Sequence, residues 1–300
     1  MLWALACTAT PPAPVVAQEP PAAPPLYGFW GLNGHRTAEG LAGVKERFGI
    51  GVYHTATRFP EEGIEVLLPA AREAGLKVSM RLTGGHPQYT DAEGNFSLAM
   101  WTERLEAWRG SGLQAFVDDG TLVAHMLADD IHNFPGKDPT AAELDEMARL
   151  SKELLPGLYT FVRERALEMP AGEYRYVDAL VNQYRHDHGT PEEYTRVQVA
   201  RARELGLDVI NGLNIANGGD GRSGQPGWGK GRWAMSAEEI TTYGRVLGAV
   251  EGQRMFLCWE YDAEERWVDG SIGADWFDRP EQTAALRELG AWLSVLPTAR

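Results

Sequence analysis

From Leu26 onward, short apolar β-like runs alternate with longer helical patterns, and this alternation constrains the fold more than any single motif. Eight runs have the length and composition of strands: Tyr27–Leu32, Ile50–Thr55, Leu76–Leu82, Thr121–Ala128, Leu158–Arg163, Tyr174–Tyr184, Leu207–Leu213 and Met255–Tyr261. Helical patterns occupy 37–48, 61–74, 97–109, 141–154, 191–205, 237–250 and 281–293. Such a series predicts a parallel sheet joined by right-handed crossovers.

The punctuation agrees with that reading. Thr140 with Glu143, Thr190 with Glu193, Ser236 with Glu239 and Asp278 with Glu281 have the spacing of an N-cap and its third helical residue. Gly49, Gly75, Gly120, Gly157, Gly206 and Gly252 stand just before strands, where each can end a helix in the left-handed conformation. Helix-to-strand links are therefore abrupt, and strand-to-helix links are long and polar. This asymmetry predicts a (β/α)8 TIM barrel with its function on the loops after the strands. Only about ten residues separate Arg165 from Tyr174, so the fifth helix is expected to be short or missing. A doubly wound open sheet is the rival, but no Gly-x-Gly-x-x-Gly follows the first strand.

Length and composition fit one barrel over 26–300, since 300 residues with 44% apolar content can bury a large core. The net charge of −14 argues against nucleic acid and against docking on an anionic membrane surface. Residues 1–25 read differently. Ala4-Leu5-Ala6-Cys7 resembles the lipobox of bacterial lipoproteins, and an Ala/Pro-rich stretch with one charge, Glu19, follows it and reads as an extended tether that cannot bury a core. A lipid anchor at Cys7 and export are expected. Cys258, the other cysteine, reads as inert packing in a strand.

Polar groups at the strand ends carry the chemistry. The fourth strand ends Asp129-Asp130-Ile131, and the eighth ends Trp259-Glu260-Tyr261. Here the chain resembles the barrel glycoside hydrolases, many of which end strand 4 in Asn-Glu-Pro or Asp-Glu-Pro with the second residue as general acid. That resemblance implies Asp130 as the acid and Asp129 as its polar neighbour. The departures are Asp for Glu, Ile for Pro, and no carboxylate in Val209–Asn217 on strand 7. Glu260 is the nearest strand-end replacement for the second carboxylate that glycosidic cleavage needs. Trp30, Asn33, His54, Arg81, His132, Gln183, Tyr184, Asn211, Asn214, Trp228, Trp259 and Tyr261 are the expected substrate contacts, with Arg81 hinting at an anionic sugar. Glu164, between Arg163 and Arg165, reads as an ion-paired residue rather than a catalyst.

Six of the ten tryptophans (Trp30, Trp228, Trp233, Trp259, Trp267 and Trp276) fall on the functional side, where flat rings stack on sugars. The loop 218–232, with seven glycines, reads as a mobile flap. No cofactor or bound metal is expected; the partner is an oligo- or polysaccharide substrate, and the chain is expected to be a monomer. Two rivals stand beside the glycosidase. One is a non-catalytic glycan-binding lipoprotein on the same scaffold. The other is a metal-dependent hydrolase using His54, Asp129, Asp130 and His132.

Overall fold

The computed structural model describes residues 24–32, 35–227, 230–261 and 274–296. Eight parallel strands close into a barrel in sequence order: β1 Leu26–Trp30, β2 Val52–Ala56, β3 Lys77–Arg81, β4 Leu122–Asp129, β5 Tyr159–Arg163, β6 Ala179–Tyr184, β7 Asp208–Leu213 and β8 Met255–Cys258. The predicted (β/α)8 class is the observed one. Cys7 and the tether to Ala23 lie outside the described residues. Among the described residues, no helix is long and apolar enough to cross a membrane.

Side-chain alternation separates two cores. Val52, Met126, Tyr159, Phe161, Val181, Ile210 and Leu257 fill the barrel interior, with Trp30 in the same cluster. Their strand neighbours pack outward under the helices, as Leu180, Leu213 and Cys258 do. All six predicted helix-ending glycines adopt positive φ, from +63° to +87°. The caps at Thr140 and Ser236 are reciprocal boxes with Glu143 and Glu239. Thr190 caps its helix from one side only, because the Glu193 carboxylate turns to Arg196. Asp278 caps nothing. The last helix starts at Pro280, after Arg279, and Asp278 pairs with Arg47 instead.

Two departures from the sequence reading have local causes. β6 begins at Ala179 rather than Tyr174, because Asp145 Oδ1 accepts the amides of Arg175, Tyr176 and Val177 and holds that stretch outside the sheet. The fifth helix is reduced to one 3-10 turn, Ala166–Glu168, as its short span requires. A third feature positions the site. β4 skips Leu127 in its register with β5, so Met126 pairs with Phe161 and Ala128 with Val162. Strict alternation from Met126 would turn Ala128 and Asp130 inward. The bulge instead leaves Leu127 and Ala128 in the outer core and brings Asp129 inward opposite Arg163.

Candidate active site

The C-terminal ends of the strands carry a layer of polar and aromatic side chains above the apolar plug. Arg163 continues the inward row of Tyr159 and Phe161 on β5. Its guanidinium is shared three ways: Nε to Asp129, Nη2 to Asp130 Oδ2 at 2.5 Å, and Nη1 to Gln183 Oε1 at 3.1 Å. It also lies over the Trp30 ring, 5.8 Å from the centroid. From β3, Arg81 Nη1 donates to the second oxygen of Asp129 at 3.0 Å. Burial pushes the Asp129 carboxyl up, but Arg163 and Arg81 together outweigh it and hold that carboxyl below the usual range. Asp129 is therefore an ionised strut between two arginines and is unsuited to hold a proton at neutral pH.

His54 faces inward from β2, its ring tilted 46° against Trp30 with centroids 4.0 Å apart, and with Nδ1 3.0 Å from Ser79 Oγ. Burial and the nearby Arg81 hold it neutral, well below the ordinary histidine range.

Asp130 has φ +41°, a conformation uncommon for a residue with a side chain, and it stands half-exposed at the rim. Beside it, Glu164 departs from its expected role. Neither flanking arginine pairs with it: Arg163 is taken by Asp129 and Asp130, and Arg165 by Glu168. Glu164 is 8% exposed, and its Oε1 accepts only the Arg165 amide at 2.8 Å. Burial raises its pKa, and the negative Asp130 adds to the rise against the amide, His132 and Arg163.

Glu260 stands on the other side of the closed sheet, between the ends of β7 and β1. The Trp259 amide donates to Leu213 O and the Tyr261 amide to Trp30 O, both at 2.8 Å. The peptide joining Trp259 to Glu260 is cis. The Glu260 side chain lies over Gly31, where an added Cβ would come within 2.6 Å of its Oε1. The missing side chain at Gly31 is what leaves room for that carboxyl.

The inward layer thus gathers Trp30, His54, Arg81, Asp129, Arg163 and Gln183, with Asp130 at its rim and Asn214 and Trp259 bridging at the β7–β8 ends. Three expected contacts face away from it. The Tyr184 hydroxyl donates to Gly189 O, and its ring packs between Tyr194 and Tyr243. Asn211 donates to Leu247 O in the helix Ala237–Gly248. Tyr261 stacks on Phe29 in the outer core. Each sits one residue from an inward neighbour, so strand parity turns it to the helices. Asn33, Trp228 and Trp267 lie outside the described residues. Trp276 is buried with its indole N–H on Met235 O, so it offers no stacking face, whereas Trp233 is exposed.

The glycine-rich loop is pinned rather than free over its described part. Gly219 donates to Trp233 O, Gly227 to Arg232 O, and Asp220 to Glu239 Oε1. Its glycines serve close packing: a Cβ at Gly219 would meet Ala234 O at 2.1 Å.

The four residues weighed as metal ligands do not assemble, since Asp129 is spent on two arginines and His54 on Ser79. Among the described residues the group with ligand spacing is His132, Glu164 and Glu168, whose donor atoms lie within 4.8 Å of one another. Arg165 already holds the Glu168 carboxylate there, and His132 Nε2 lies 2.7 Å from the Glu168 carbonyl.

No protein-family model matches this chain, and no curated protein does. Solved structures do match in fold. A GH113 β-1,4-mannanase is 11% identical over 90% of this chain and 99% of its own, with a TM-score of 0.55. An endocellulase from Pyrococcus horikoshii, solved with cellotetraose, is 11% identical over 89% and 92%, with a TM-score of 0.57. A β-D-glucuronidase from Dictyoglomus thermophilum is 14% identical over 94% of this chain and 52% of its own, at 0.57. At these identities the likeness is one of fold.

Proposed function

We propose that the chain is a carbohydrate-active enzyme that hydrolyses a glycosidic bond at the open end of the barrel. The observation that carries this reading is the buried Glu164, its pKa raised by burial, beside the arginine-bound Asp130, with Glu260 across the mouth over Gly31. Glycosidic cleavage needs one carboxyl that gives a proton to the leaving oxygen and one carboxylate that attacks or activates water. On the β4–β5 side burial raises the Glu164 pKa and favours its neutral form, while Asp130 is ion-paired with Arg163. Glu164 therefore takes the acid's role and Asp130 that of its charged neighbour, an exchange with the assignment the strand-4 resemblance implies. Glu260 is the base or nucleophile. Glu164 follows β5 and Glu260 follows β8, three strands apart around the eight-stranded ring, which favours a wide gap, an intervening water and inversion.

The barrel scaffold shared with a mannanase and an endocellulase supports a polysaccharide or oligosaccharide substrate. Export and a lipid anchor at Cys7 belong to the same proposal, since such substrates lie outside the cell. A turnover screen over a glycan library, with Glu164→Gln, Asp130→Asn and Glu260→Gln beside the unchanged chain, tests it. Turnover lost in Glu164→Gln and Glu260→Gln, with the fold kept, is expected. Glycan binding with no turnover by the unchanged chain would instead identify a binding protein on the same scaffold.

A further inference from the structure

The inward layer of the mouth has more hydrogen-bond donors than it can use. Trp30 Nε1, Arg81 Nε and Gln183 Nε2 are buried and have no partner among the described residues. Trp30 is 5% and Gln183 8% exposed, so water does not readily serve them. Both side chains lie against the Arg163 guanidinium, Trp30 by its face and Gln183 by its amide oxygen. Arg81 joins them through Asp129.

The acceptors of the same layer already have partners. One Asp129 oxygen is on Arg81 and the other on Arg163. Gln183 Oε1 takes Arg163, and His54 Nδ1 is paired with Ser79. Leaving a buried donor without a partner is costly, so three in one layer at the open end of a barrel call for a ligand that supplies acceptors.

The balance of donors and acceptors selects among such ligands. Arg81 and Arg163 are matched in charge by Asp129 and by Asp130 at the half-exposed rim, with His54 neutral, so the free donors rather than a net charge set the preference. A neutral hydroxyl accepts one of the free donors but brings a proton that needs an acceptor of its own. A carboxylate offers acceptors only, and so matches three free donors with two oxygens and no added proton.

We infer that this mouth takes a sugar bearing a carboxylate, a hexuronic acid residue, with the carboxylate directed to Trp30, Gln183 and Arg81 beside Arg163. The sugar frame rests on the glycosidase reading, whereas the carboxylate rests on the donor excess alone.

The test is calorimetric titration of the full chain with short oligogalacturonates and oligoglucuronates and with their carboxyl-reduced, neutral counterparts. At least tenfold tighter binding of one acidic series over its reduced form is expected. That preference should fall about tenfold in Gln183→Met and in Trp30→Phe, which remove the donor and keep the bulk, with far-ultraviolet circular dichroism confirming the fold. Equal or tighter binding of the reduced sugars, or a preference indifferent to both substitutions, overturns the inference. Turnover is read on the same sugars. Acidic sugars bound but never cleaved would sink the glycosidase reading and leave this one standing. Neutral sugars cleaved with no acidic preference would do the reverse, and neither binding nor cleavage would overturn both.

Discussion

Arg163 faces Asp129 across the bulged register of β4 and β5, and the same guanidinium reaches Asp130 one residue on. The two aspartates nevertheless carry different burdens. Asp129 is held from both sides and part-buried, so removing it strands Arg81 with no countercharge and leaves Arg163 with Asp130 alone. Asp129→Ala is expected to cost about 2–3 kcal/mol of stability, somewhat less than the ~3–5 kcal/mol of a fully buried pair. Asp130→Asn, at the half-exposed rim, should cost under about 1 kcal/mol. Urea unfolding of the two variants side by side checks this, and equal losses would refute the strut role of Asp129.

Gly31 and Glu260 give a second expectation. A methyl group at position 31 would come within 2.5 Å of Glu260 Cγ, at a φ of +79° that disfavours any side chain. Gly31→Ala should displace the carboxyl by about an ångström while leaving the barrel closed. Misplacement of that size is worth up to roughly 100-fold in turnover. A crystal structure of the variant with Glu260 unmoved, or unchanged turnover, would remove Glu260 from the proposed pair.

Strand parity makes a third expectation, about residues that should not matter to substrate. Tyr261→Phe leaves the stack on Phe29 intact and loses only a long 3.4 Å contact to Asp278. Its KM should stay within about twofold of the unchanged chain, whereas removal of the inward Gln183 amide should raise KM by about tenfold, the worth of one charge-assisted hydrogen bond. A Tyr261→Phe effect as large as that at Gln183 would mean the mouth extends to the outer core.

The barrel was legible in the sequence because its signals are local. Six glycines at helix ends, the Thr140 and Ser236 boxes and the ten-residue span after Arg165 each specify their own neighbourhood. The site was legible only to the level of which strand ends carry it. Asp129 rather than Asp130 turns inward because β4 skips Leu127, and a bulge is a property of two paired strands. Glu164 sits between two arginines in the chain, yet both prefer partners reached only after folding, Asp129 and Asp130 for one and Glu168 for the other. Arg163 itself had a signal, its period-two spacing from Tyr159 and Phe161. Tyr184, Asn211 and Tyr261 have the chemistry of sugar contacts but the wrong parity.

Stability should depend on pH through His125. It is fully buried, with Nδ1 at 2.6 Å from Ser151 Oγ, and burial pulls its pKa down to about 3. Unfolded, the same imidazole titrates near ~6.5. Between those values the unfolded chain binds a proton that the folded chain refuses, so stability is complete above the unfolded pKa and falls as pH drops toward about 3. The slope is about tenfold in the folding equilibrium per pH unit for this one group. His125→Asn should be less stable at neutral pH but flatter between roughly pH 6 and 4 by one proton's worth. An unchanged slope in urea midpoints would show that the histidine protonates while folded.

The assignment of the proton to Glu164 can be read from the pH dependence of kcat/KM. An acid that must be protonated gives a basic limb, along which activity falls as its proton is lost. Burial and the anion of Asp130 both raise the Glu164 pKa, so the limb should stand above the ordinary carboxyl range. Glu164→Gln should abolish the limb along with most of the turnover, on the order of 100-fold or more for a lost general acid. Asp130→Asn removes the neighbouring charge but leaves the acid in place, so the limb should persist and move to lower pH. A merely structural Glu164 would lower activity evenly and leave the limb where it was. If Asp130 gives the proton instead, Asp130→Asn erases the limb and Glu164→Gln only shifts it, which makes the two profiles opposite in kind rather than in degree.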